Sequence, residues 1–136
     1  MLDEDDVIEA VSLHLLEKGY YIVQKSRRGK VDIVARDPQS NAKLLVTATG
    51  ATPSRAGKDK PRTSWTESQV FEALTTSIAN ALMIHYTGQL NPDDQIGLAF
   101  PDLPDVRKYL SAEKPIMDCL GIKFFLVTPE KGVVMI

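Results

Sequence analysis

The stretch Val31-Asp32-Ile33-Val34-Ala35-Arg36-Asp37-Pro38-Gln39-Ser40-Asn41-Ala42-Lys43-Leu44-Leu45-Val46-Thr47-Ala48-Thr49-Gly50 reads as two strands joined by a polar turn. Alternate side chains of a strand share a face. Val31, Ile33 and Ala35 therefore point one way, with Leu44, Val46 and Ala48 as their partners across the hairpin. That face belongs to a core. The opposite face carries Asp32 on the first strand and Thr47 and Thr49 on the second, so the pattern predicts a polar cluster on one side of a sheet. A slip of one residue would reverse both faces.

Upstream of the hairpin, Asp3 to Lys18 reads as a helix. Its acidic first turn suits the positive end of the helix dipole, Gly19 ends it, and Val7, Ile8, Val11, Leu15 and Leu16 recur at helical spacing. Tyr20 to Lys25 is a strand rich in β-formers, closed by the turn-like Ser26-Arg27-Arg28-Gly29. Downstream, Ala51 to Thr63 is broken by Pro53, Gly57 and Pro61 and reads as a loop, of a length more common in functional segments than in simple connections. A long helix from Trp65 to Tyr86 follows, with overlapping capping boxes at Ser64–Glu67 and Thr66–Gln69. Its apolar stripe is Val70, Phe71, Leu74, Ile78, Ala81, Leu82 and His85. Thr75, Thr76, Ser77 and Asn80 suit close helix packing and offer a homodimer seam. Gln95 to Phe100 is a strand, Asp102 to Leu110 a helix, Pro115 to Leu120 a shorter helix, and Ile122–Thr128 with Val133–Ile136 a hairpin. The order αβββαβαβ(β) predicts a three-layer α/β/α sandwich with a central mixed sheet.

A chain of 136 residues suits a single domain, 1–136, and 43% hydrophobic with 25% charged residues sets it apart from disordered and fibrous chains. No run of eighteen apolar residues and no basic-then-apolar leader is present, so a soluble cytoplasmic protein without a membrane partner is expected. Cys119 has no second cysteine to pair with, and His14 has no metal-binding side chain four residues on. The formal net charge of -2 conceals a basic region. Between Gln24 and Thr63 ten lysines and arginines face three aspartates, a local balance of +7 around the polar cluster. Such a distribution suits phosphate binding, and equally suits solvated loops.

The succession of helix, strand, Gly29-x-x-Asp32-hydrophobic, turn, strand ending in Gly50, basic loop and long helix resembles the restriction-endonuclease-like nucleases, the PD-(D/E)xK superfamily. The resemblance runs through the long helix and implies a restriction-endonuclease-like core, αβββαβ, followed by a C-terminal helix and hairpin. It gives Asp32 the place of the first metal-binding acid. Thr47 and Thr49 occupy the places of the second acid and the lysine. Glu9 or Asp5 would stand for the acid that many relatives carry on the first helix, and Gln69 for a glutamine near the start of the long helix, with Glu67 beside it. Helix capping and dipole compensation explain the same acids without a site.

Metal-assisted phosphodiester hydrolysis needs anionic oxygen ligands for the metal and a group that orients water. Neutral threonines supply neither, so the resemblance implies a catalytically degenerate domain that requires no cofactor. Its partner would be nucleic acid, DNA rather than RNA, held through Arg27, Arg28, Lys30, Arg55, Lys58, Lys60 and Arg62. Two alternatives stand beside it. One is an active nuclease using Mg²⁺ or Mn²⁺, with Glu67, Glu72 or Glu9 joining Asp32 and with Lys43 or Lys58 replacing the lysine. The other is a protein-interaction module that keeps only the fold.

Overall fold

Asp3 starts the first helix with a reciprocal capping box: its carboxylate accepts from the Asp6 amide at 2.8 Å, and that of Asp6 accepts from the Asp3 amide at 3.0 Å. The structure, a computed structural model, describes residues 2–25, 31–49, 67–86 and 90–136. Helix α1 (Glu4–Glu17) ends where Gly19 takes a φ of 91°, a left-handed conformation that glycine adopts without steric cost. It buries Val7, Ile8, Ala10, Val11, Ser12 and Leu15. Leu16, expected in this stripe, is instead 52% exposed. The sheet takes the arc centred on Val7, Val11 and Leu15, and Leu16 lies 100° around the helix from its neighbour Leu15, beyond that contact.

The remaining elements are β1 (Tyr21–Lys25), β2 (Ile33–Arg36), β3 (Lys43–Ala48), α2 (Glu67–Tyr86), β4 (Gln95–Pro101), α3 (Pro104–Cys119), β5 (Ile122–Val127) and β6 (Val133–Met135). The six strands lie in one mixed sheet in chain order. β1, β2 and β3 pair antiparallel, β3, β4 and β5 parallel, and β6 returns antiparallel to β5. The helices α2 and α3 are the crossovers that parallel strands require. The β2–β3 register sets Ile33 opposite Val46 and Ala35 opposite Leu44, the pairing expected from their alternation. Asn41, at a φ of 62°, and the Asn41 amide bonded to the Asp37 carbonyl at 2.8 Å shape the turn between them.

The sheet separates two cores. On one face α1 packs on Ile33, Ala35, Leu44, Val46 and Ala48, with Ala99, Phe125 and Val127 from later strands. On the other, Val70, Leu74, Ala81 and Ile84 of α2 and Val106, Leu110 and Met117 of α3 cover Ile96, Leu98, Phe100, Phe124 and Leu126. Gly97 makes the first core possible. A methyl group on it would stand 2.7 Å from the Phe125 ring and 3.2 Å from the Val46 side chain.

Three further expectations are corrected. Val31 packs with the second core, not with Ile33 and Ala35, because the chain bends at Asp32 before β2 begins and the alternation does not reach across the bend. On α2, Phe71 and Leu82 are 52% and 41% exposed. The buried stripe runs instead through Val70, Leu74, Ser77, Ala81 and Ile84, with Ile78 half-buried beside it, because that arc of the helix and not the one through Phe71 and Leu82 is turned inward. Finally, α3 continues through Pro115 instead of breaking into two helices. A proline there forfeits the one amide that would bond the Ser111 carbonyl. Burial of Leu110 before it and Met117 after it holds the helix in one piece. No helix among the described residues is long and apolar enough to cross a membrane.

Candidate functional site

β3 sends its even and odd residues to different sides of the sheet. Val46 and Ala48 enter the α1 core, while Thr47 lies opposite Leu98, a residue of the α2 and α3 core. Thr47 and the next outward residue, Thr49, therefore face α2. The Thr49 amide donates to the Ala99 carbonyl at 2.9 Å, which keeps the chain on the sheet just past the end of β3. Its hydroxyl lies 3.1 Å from that of Ser77, a buried residue of α2.

A cleft of about 470 Å³ opens between these residues and α2. One wall holds Glu4 from α1, Asp32 from the bend before β2, and Thr47, Ala48 and Thr49. The other wall is a single stripe of α2: Gln69, Glu72, Ala73, Thr76, Ser77 and Asn80. These positions recur three and four residues apart, the spacing that keeps side chains on one helix face. Of the small polar run read from the sequence as a packing or dimer seam, Thr76, Ser77 and Asn80 thus face a cleft, while Thr75 lies on the side of α2 toward α3.

Asp32 is 4% exposed. Its Oδ2 accepts from the Ala48 amide at 2.8 Å, tying the bend before β2 to the end of β3. Its carboxyl also forms a hydrogen bond with that of Glu4. Burial pushes the Asp32 carboxyl above its usual range, and the bonds from Ala48 and Glu4 pull the other way. Glu4 is also pushed up, first by burial, then by the negative charges of Asp32 and Asp5 and by its bond to Asp32. Two carboxyls bonded to each other need a proton between them.

Of the residues singled out in the sequence, Asp32, Thr47, Thr49 and Gln69 meet at this cleft, as does Glu72. Glu9 does not: it is exposed and ion-paired with Lys25. Asp5 is not among the lining residues either. The first-helix acid that reaches the cleft is Glu4, which the sequence presented only as part of an acidic first turn. Its signal would have been its place as the first residue of α1. Lys43 begins β3, six residues before Thr49 and so about 20 Å away along the strand. It is too far to replace a lysine at the cleft. Arg27, Arg28, Lys30, Arg55, Lys58, Lys60 and Arg62 lie outside the described residues, as does the side chain of Glu67.

Among the described residues no group of three His, Cys, Asp or Glu is placed to hold a metal ion. Asp32 and Glu4 are bonded to each other, one Asp32 oxygen is committed to a backbone amide, and Thr47 and Thr49 are neutral, the Thr49 hydroxyl lying against that of Ser77. Mg²⁺ and Mn²⁺ favour several anionic oxygens, and this donor set does not fit them. What the cleft offers is a carboxyl pair, buried Asp32 with half-buried Glu4, facing hydroxyls, amides and the Glu72 carboxylate. Comparison of the chain with protein-family models, with curated proteins and with solved structures finds no match.

Proposed function

We propose that the protein is a nuclease-like domain without the nuclease catalytic set, and that it binds nucleic acid through the basic segments that precede Asp32 and follow Thr49 in the chain. The observation that carries this reading is the meeting of Asp32, Thr47 and Thr49 at one cleft beside Gln69. Those are the positions at which the restriction-endonuclease-like family places its acids and lysine, and here two of them are threonine.

Chain connectivity supports the binding half. The segment holding Arg55, Lys58, Lys60 and Arg62 joins Thr49 to the start of α2, and Lys30 lies two residues before Asp32. Thr49, Asp32 and the first turns of α2 all border the cleft. Cations tethered so close to a common site are suited to phosphates, and the family resemblance favours DNA over RNA.

Changing Arg55, Lys58, Lys60 and Arg62 together to alanine should weaken DNA binding by about tenfold or more at moderate salt and flatten the dependence of affinity on salt. Fluorescence anisotropy over a salt series measures both. An unchanged slope, or no binding by the unaltered protein, would favour a module that binds another protein. Metal-dependent DNA cleavage by the unaltered protein, lost in Asp32→Ala and Glu72→Ala, would instead establish an enzyme with relocated ligands.

A further inference from the structure

The basic segments account for phosphates, but they leave the cleft itself without a ligand. The described residues that line it include the carboxyls of Glu4, Asp32 and Glu72 and no lysine or arginine. A phosphate would be repelled from such a floor. If nucleic acid lies across the cleft, the part that enters is a base. At about 470 Å³ the space is within the ordinary range of small-ligand sites, roughly 300–1,000 Å³. One nucleoside fits there. A duplex is far wider than the gap between one strand and one helix, so the base must be unpaired.

Chemistry narrows the choice of base. Glu72 lies on the exposed side of the α2 stripe, and its carboxylate offers two acceptor oxygens side by side. Guanine is the base that presents two adjacent donors, N1–H and N2–H₂, on its Watson–Crick edge. Adenine, cytosine and thymine each present one donor there, next to acceptors that a carboxylate repels. Gln69, Thr76 and Asn80, on the same stripe, can each both donate and accept, which suits the remaining edge and the sugar. We propose that the cleft holds one unpaired guanine, read by Glu72 through its N1–H and N2–H₂ groups. This site rests on the nucleic-acid reading above and adds to it a base and a strand state.

The test compares three fluorescent probes: a thymine strand with one central guanine, an all-thymine strand, and the guanine strand annealed to its complement. The guanine strand should bind roughly five- to a hundredfold more tightly than the all-thymine strand, the discrimination typical of one bidentate base contact. Annealing should abolish that advantage. Glu72→Gln, at an exposed position where the fold is not at stake, should remove it while leaving the salt dependence unchanged. Equal affinity for the two single strands, or a guanine preference that survives Glu72→Gln, overturns the guanine site and leaves phosphate binding standing. Failure of every probe to bind overturns the nucleic-acid reading and this site with it.

Discussion

Asp32 is held by two bonds whose purposes differ. The bond from the Ala48 amide is architectural, because it fixes the bend before β2 to the end of β3. The bond to Glu4 brings two acids together in a buried place, and both carboxyls are pushed upward. A carboxyl whose folded pKa lies above its unfolded value adds its stability at low pH. That contribution is lost as pH rises from the usual carboxylate range through the raised value. The pair is therefore a liability at neutral pH. Asp32→Asn keeps an oxygen for Ala48 and gains an amide that can donate to Glu4. It should raise the melting temperature at pH 7 by about 3 °C, on the order of 1 kcal/mol for a domain of this size, with the gain shrinking toward pH 3. Thermal unfolding followed across that range checks the sign, and a destabilised variant at pH 7 would contradict the upward push on these two carboxyls. A group that costs stability where it stands is the pattern expected of a site retained for binding.

At the scale of elements, the sequence was legible wherever one period governed a segment. The order of helices and strands, the acidic start of α1 with Gly19 at its end, and the β2–β3 register all followed from alternation and capping. What was not legible depended on tertiary placement. Leu15 and Leu16 are equally apolar neighbours, and only the direction of the sheet decides that Leu15 is 2% exposed and Leu16 52%. Leu15→Ala should cost about 2–5 kcal/mol, and Leu16→Ala less than about 1 kcal/mol, in urea unfolding. Comparable losses at both would mean that α1 is rotated. The same limit applied to Phe71 and Leu82 on α2, where apolar character said nothing about which arc meets the sheet. It applied again at the site. Asp32, Thr47 and Thr49 were found together because strand alternation is rigid. Glu4 was passed over because an acid in a first helical turn already has a sufficient local explanation, and its contact with Asp32 spans 28 residues of chain.

At the scale of the whole molecule, the strands lie side by side in the order in which the chain supplies them. Each new strand finds its partner already made, and each parallel crossover adds its helix to the face away from α1. The α1 face, like the other, waits on β5. Its floor includes Ala99 from β4 and Phe125 and Val127 from β5, residues far along the chain from the helix they support. A fragment ending at Leu120 would retain three helices and four strands but lack Phe125 and Val127 on this face and Phe124 and Leu126 on the other. It should unfold without a cooperative transition when circular dichroism is followed against urea, and a sigmoidal curve matching that of the full chain would contradict this. For a chain synthesised from its amino terminus, the consequence concerns timing. Helix α1 is made more than a hundred residues before its seat is complete, and until β5 arrives Val7, Val11 and Leu15 present an unfinished greasy surface on the nascent protein, the period in which a chaperone would find it.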